Sequence, residues 1–171
     1  MKLKPLKHPD NLHLQAALGW LGLNDHLEAD RELDNIRAEW RAHPEVLKVR
    51  MEIYYREKSW VGLYEIANTL VREQPSLMDA WILRSFALHE LDRTQDAYDD
   101  LLLVSEEFPK VWVIPYNLAC YCSVMRRFPR AQEWLKRAMA IDEKTVQREA
   151  IDDPDLQPLW DSMSGTMWKR E

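Results

Sequence analysis

Apolar side chains recur at intervals of three and four over eight stretches of the chain, about 10–23, 26–42, 45–57, 60–73, 77–91, 94–107, 112–126 and 128–141. That spacing lines one side of a helix. Short polar or proline-bearing turns separate the stretches. Asn24-Asp25-His26 reads as a turn into the second helix, and in Leu91-Asp92-Arg93-Thr94 the threonine is placed to cap the sixth, with Asp96 against its N-terminal dipole. Two shorter helices are expected after residue 141. The pattern predicts an all-α chain.

The elements also repeat. Pro75 and Pro109 stand 34 residues apart, a period characteristic of helix-pair repeats. With each proline taken as position 32, a repeat beginning at Met78 sets Trp81 at position 4, Leu88 at 11, Ala97 at 20 and Leu101 at 24. A repeat beginning at Trp112 sets Leu118 at 7, Ala119 at 8, Ala131 at 20, Leu135 at 24 and Ala138 at 27, with Glu143 at 32. Its position 4 is Pro115, in the first helical turn, where a missing N–H costs little. Small residues at position 20 let paired helices approach, and bulky ones at 24 fill the space between pairs.

On these residues the chain resembles the tetratricopeptide-repeat family. The resemblance implies a right-handed α-solenoid of antiparallel helix pairs, about four repeats, with C-terminal capping helices. The whole chain is expected to form one domain: a flexible tail at 1–9, repeats at 10–44, 45–77, 78–111 and 112–145, and a cap at 146–171. The first two repeats depart further from the pattern. Ala17-Leu18-Gly19 imitates the pair at positions 7 and 8, and Pro44 stands three residues too close to Pro75, a deficit expected in the turn at Glu57-Lys58-Ser59-Trp60. Asp153-Pro154-Asp155-Leu156 resembles the DPDL-containing tail of bacterial members, which implies a short helix covering the exposed end of the stack.

In that family, positions 2, 5, 9 and 12 of each first helix line a concave groove. Carried over, the resemblance implies Lys48, Met51, Tyr55 and Lys58 in the second repeat and Asp79, Ile82, Phe86 and His89 in the third. The fourth supplies Val113, Tyr116, Cys120 and Ser123, with Asn117 beside them to bond a peptide backbone. Tyr55, Phe86 and Tyr116 are the expected aromatic anchors. Members that grip the C-terminal carboxylate of molecular chaperones use Lys, Asn and Arg on these faces. Ala16, Trp20, Glu52, Val113 and Asn117 stand in the corresponding places, and only the asparagine suits. The inventory therefore points to an amphipathic segment rather than an acidic tail.

Charge narrows the partner class. A formal net charge of −6 argues against nucleic acid, and the run Arg126, Arg127, Arg130 reads as solvated surface. Lys2, Lys4 and Lys7 ahead of the apolar stretch 12–23 imitate a secretory signal, but His13 and Gln15 interrupt it and no small-residue cleavage site follows. No stretch reaches the roughly 18 apolar residues of a membrane span. Cys120 and Cys122 diverge by about 200° on a helix and cannot easily bridge. A reducing compartment, the cytoplasm, is the expectation.

Chemistry is thinly represented. His8, His13, His26, His43 and His89 form no HExxH pair and read as surface or capping groups. Four glycines offer no phosphate-binding loop, and Asp152, Asp153 and Asp155 lack the Gly and terminal Glu of a calcium loop. Most of the eight tryptophans, with Trp81 the clearest core candidate, are assigned to packing, and Met163 and Met167 to packing or disorder. No cofactor or metal is expected. The leading function is a non-catalytic adaptor that holds a protein or peptide in its groove. The alternatives are a small secretion-type chaperone and, less favoured, an enzyme with a site assembled across repeats.

Overall fold

The computed structural model describes residues 4–163; Lys2, Met167, Trp168 and the end of the expected cap lie outside them. The described residues form α1 (Asp10–Gly22), α2 (His26–Asp34), α3 (Pro44–Arg56), α4 (Trp60–Glu73), α5 (Met78–Glu90), α6 (Thr94–Leu102), α7 (Val113–Val124), α8 (Phe128–Ile141), α9 (Glu143–Ile151) and α10 (Gln157–Ser162). Single 3₁₀ turns lie at Ala38–Trp40 and Pro154–Leu156. No strand occurs among the described residues.

The second helix of each pair begins at His26, Trp60, Thr94 and Phe128, an unbroken 34-residue interval. Between the helices of each pair the backbone turns left-handed at Asn24, Lys58, Asp92 and Arg126, with φ of 61, 55, 61 and 57°. Each of these residues closes a Schellman motif. The N–H of Asn24 bonds Leu21 O at 3.0 Å and that of Asp25 bonds Trp20 O at 2.9 Å; Arg126 and Arg127 bond Ser123 O and Cys122 O in the same way, at 2.9 and 2.7 Å.

This register corrects the sequence reading of the second repeat. Lys58 keeps the interval, so no deficit lies in its turn. Pro44 is the first residue of α3, whereas Pro75 lies in the loop before α5; the two prolines are not equivalent. Positions 2, 5, 9 and 12 of that repeat are therefore Glu45, Lys48, Glu52 and Tyr55. Position 20 is Ala29, Leu63, Ala97 and Ala131 in successive repeats, all fully buried.

Two expected helices end early. The second stops at Asp34 rather than 42, because the N–H of Arg37 bonds Asp10 Oδ1 at 2.9 Å instead of continuing the helical ladder. The sixth stops at Leu102 rather than 107, where Val104 and Ser105 make tighter bonds three residues back and the Ser105 hydroxyl donates to Leu102 O. Thr94 is the first residue of α6 rather than its cap, and its hydroxyl pairs with His89 Nδ1 at 3.0 Å.

The chain divides into two compact units, with the boundary inside α5 between Ala80 and Trp81. In the first, α1 packs on α2, α3 packs on α4, and α1 and α2 both meet α3. Ala17, Leu21, Ala29, Leu33, Ile36, Val46, Val49 and Ile53 form its core cluster, where each large aliphatic side chain contributes roughly 1.5–3 kcal/mol by leaving water. Asp10, fully buried, receives Arg37 Nε and Nη2 at 2.9 and 2.6 Å and ties the start of α1 to the chain after α2. In the second unit α7 is central. It packs on α6 and α8, and the Pro154–Leu156 turn and α10 pack on it as well.

Candidate functional site on α5 and α7

The sequence of α7, Val-Ile-Pro-Tyr-Asn-Leu-Ala-Cys-Tyr-Cys-Ser-Val, is apolar on every side, and a helix of that kind needs cover on every side. Neighbouring helices supply part of that cover. The rest comes from the protein's own segment 153–159, which lies against the residues expected to line the groove.

Asp153 anchors the segment with both carboxylate oxygens. Oδ1 accepts the N–H of Asp155 at 2.9 Å and so caps the Pro154–Leu156 turn. Oδ2 accepts the Tyr116 hydroxyl at 2.5 Å and the Cys120 thiol at 3.6 Å. Asp155 Oδ2 lies 3.0 Å from His89 Nε2. A carboxylate only accepts, so Nε2 carries the hydrogen. Further along, the N–H of Leu159 bonds Ser123 Oγ at 3.2 Å, and Leu156 and Leu159 are fully buried. Beneath them Ser85 donates to Ile82 O and accepts the Tyr121 hydroxyl at 3.2 Å, linking α5 to α7.

The electrostatics keep the donors in their hydrogen-bearing forms. Burial, with the Cys120 and Asp153 sites beside it, pushes the Tyr116 phenol far above its ordinary range. Burial followed by the charges of Asp153 and Asp155 does the same to the Cys120 thiol. That thiol is a neutral donor rather than a nucleophile. Cys122, raised to about 11 by burial against the pull of Arg127 and Arg130, is equally inert, and both cysteines are free. Burial lowers the affinity of His89 for a second proton, but the hydrogen bond and charge of Asp155, backed by Glu90 and Asp153, more than offset this and raise its pKa above 6.5.

The structure distributes the expected groove residues unevenly. His89, Tyr116 and Cys120 converge on segment 153–159, and Tyr116 and Cys120 are only 7% and 4% exposed beneath it. Ile82 and Phe86 are half-buried on α5. Val113 and Asn117 are half-buried too, and with Trp112, Arg148, Glu149 and Asp152 they line an open cleft of about 450 Å³ beside Asp153. The Trp112 ring meets Tyr116 edge-on, at 5.6 Å and 77°. In the first unit, Tyr55 is 40% exposed.

Met51 is a correction: it is 4% exposed, at position 8 with Ala17, Ser85 and Ala119, all fully buried. Lys58, also carried into the groove by the earlier register, is the left-handed turn residue. Trp81, expected in the core, is half-buried, with the Arg84 guanidinium 4.6 Å from its ring centroid. Asp153 and Asp155 escaped the sequence reading as partners of the groove. Two carboxylates flanking a proline were visible, but their donors lie 33 to 66 residues away in the chain.

Among the described residues no cluster of His, Cys, Asp and Glu could hold a metal, and no helix is long and apolar enough to cross a membrane.

No protein-family model matches the chain, and no curated protein matches it. Solved structures do. MamA of Desulfovibrio magneticus RS-1, from its residue 41 onward, superposes with a TM-score of 0.74 at 13% identity, over 94% of each chain. A thermophilic tetratricopeptide protein of Thermus thermophilus gives 0.69 at 16% identity, over 90% of this chain and 82% of its own. PilW, described as a widely conserved type IV pilus biogenesis factor, gives 0.66 at 15% identity, over 93% of this chain and 80% of its own. The fold is thus that of the tetratricopeptide-repeat solenoids, built from antiparallel helix pairs.

Proposed function

We propose that this chain is a non-catalytic protein-binding module that holds a peptide or partner helix against the first helices of its repeats. One observation carries the reading: the face of α5 and α7 already holds a length of polypeptide, segment 153–159, through side-chain donors and buried leucines. A surface that meets the polar and apolar needs of one segment is suited to another. Ile82, Phe86, Val113 and Asn117 are the accessible members of this face, and Tyr55 serves the first unit. The neutral thiols of Cys120 and Cys122 suit a reducing, cytoplasmic setting. Segment 153–159 with α10 also acts as a cap, covering the part of α7 that the neighbouring helices leave open.

A second reading, a small chaperone for unfolded clients, draws support from the exposed leucines of the first unit. Leu12, Leu18, Leu23 and Leu27 are each at least half exposed, the kind of surface that binds apolar segments without fixed sequence.

Cross-linking mass spectrometry of the immobilised chain with its captured partner tests the module reading. Cross-links concentrated on α5, α7 and the Asn117 cleft, and capture reduced at least about tenfold by Asn117→Ala with Val113→Asp, are the expected result. Cross-links elsewhere with capture unchanged would overturn it.

A further inference from the structure

We propose that the α5–α7 face is selective for an acidic peptide presenting two carboxylates two residues apart, with leucines one and four residues after the second, and that segment 153–159 is its resident competitor. The inference rests on the reading of this face as a peptide-binding surface and adds what that peptide must be. It also differs from the amphipathic, non-acidic partner that the residue inventory suggests.

The donors decide the chemistry. Tyr116 O–H, Cys120 S–H and His89 Nε2–H all point at carboxylate oxygens, two at Asp153 and one at Asp155. Neutral side chains in those places would leave three buried or half-buried donors without a charged acceptor. Spacing decides the sequence pattern. Asp153 and Asp155 bracket one proline in a single 3₁₀ turn, so the two carboxylates reach donors on different helices. Leu156 and Leu159 follow into fully buried places, and the Leu159 N–H meets Ser123 Oγ.

The segment keeps part of its surface in solvent although Leu156 and Leu159 are fully buried. Asp152, Pro154 and Gln157 face solvent, and the segment joins α9 through the exposed Asp152. The open cleft of Trp112, Val113, Asn117 and Arg148 lies beside Asp153, where an incoming peptide can seat before the resident segment leaves. A tethered occupant competes at an effective concentration of about a millimolar, so an outside peptide gains access when the resident's carboxylates are neutralised or when it is supplied in excess.

The probe is a fluorescent synthetic peptide with the sequence of residues 151–160. Full-length chain carrying Asp153→Asn and Asp155→Asn should bind it at least about tenfold more tightly than the unaltered chain, because the resident competitor has lost its anchors. The same peptide with asparagine at both aspartates should bind at least about tenfold more weakly. If the double variant fails to fold, the unaltered chain, labelled with ¹⁵N, is titrated with unlabelled peptide. Amide signals of 153–159 should then move toward those of a free segment while those of α7 stay dispersed. Absence of both binding and movement overturns the proposal, and so does binding indifferent to the asparagine exchange. If the acidic peptide fails while partner capture remains sensitive to Asn117→Ala with Val113→Asp, the carboxylate chemistry falls and the module reading stands. If capture is insensitive as well, both fall.

Discussion

Tyr116 donates its phenolic hydrogen to Asp153 across 2.5 Å, binding the first turn of α7 to a segment 37 residues further along the chain. The bond joins a neutral donor to a charged acceptor in a largely dry setting, where such bonds are worth about 1.5–3 kcal/mol. Tyr116→Phe keeps the ring and its edge-on contact with Trp112 and removes only the donor. Loss of about 1.5 kcal/mol is expected, expressed as faster amide exchange in 153–159 with little change in α8. Cys120→Ala should cost less, since a thiol at 3.6 Å is a weak donor. Uniform acceleration across the unit in Tyr116→Phe would show that the bond supports the whole core instead.

Two charged groups should give the units opposite responses to pH. The pKa of His89 is raised in the folded chain, so its proton stabilises the attachment of 153–159 fully below 6.5, and that contribution is lost as pH rises through the folded value. Asp10 runs the other way. The Arg37 side chain, then its backbone N–H, hold the Asp10 carboxyl below 3.8, so its contribution is complete above that value and lost as pH falls through the lower folded one. Protection of the 153–159 amides, taken relative to the intrinsic base-catalysed exchange rate at each pH, should fall between neutral and alkaline pH in the unaltered chain and change little in His89→Gln. Protection in α1 and α2, taken in the same way, should fall only in acid. A strap that tightens as pH rises would contradict the His89–Asp155 pairing.

Much of the fold was legible because helix starts are written locally. Helix starts at Trp60 and Phe128 followed from spacing, Ala97 and Ala131 at position 20 from the family resemblance, and eight paired helices occur where eight were expected. The register of the second repeat was not legible, because Pro44 belongs to the first turn of a helix and mimicked the proline that ends a pair. The break at Asp34 was hidden for another reason: its cause is the Asp10 carboxylate, 27 residues earlier. The site shows the same division. Helical spacing located His89, Tyr116 and Cys120 on first helices, but the occupant that brings them together is a tertiary contact no local pattern encodes.

Glycines at two helical positions should respond oppositely to alanine. A Cβ at Gly19 in α1 meets nothing within 4 Å, so Gly19→Ala gains helix propensity and should stabilise by up to about 1 kcal/mol. A Cβ at Gly62 in α4 falls 2.8 Å from two carbons of the Tyr54 ring, which packs against the core of the first unit. The overlap forces the ring or α4 to shift, at a cost of about 1–3 kcal/mol that exceeds the propensity gain. Urea midpoints of the two variants should therefore lie on either side of the unaltered chain. A Gly62→Ala midpoint above it would mean that Tyr54 moves freely, and the double variant Gly62→Ala, Tyr54→Ala would then show no recovery.

The four left-handed turns make the last prediction. Asn24 and Asp92 are residue types that visit this region readily, whereas Lys58 and Arg126 pay a steric penalty between Cβ and the following carbonyl of about 1 kcal/mol. Glycine removes that penalty, although it loses more freedom on folding, and at left-handed helix ends the first effect wins. Lys58→Gly and Arg126→Gly should each raise stability by about 0.5–1 kcal/mol, and Asn24→Gly by less. The gains should add, because the two turns lie in different compact units. The same exchange at Arg56, a helical residue just before the first of these turns, should destabilise by a similar amount, and it also breaks the bond from Arg56 to Leu21 O at 2.9 Å. Urea melts of the single and double variants decide the matter: a loss of stability in Lys58→Gly would show that the turn does not hold its left-handed conformation in solution.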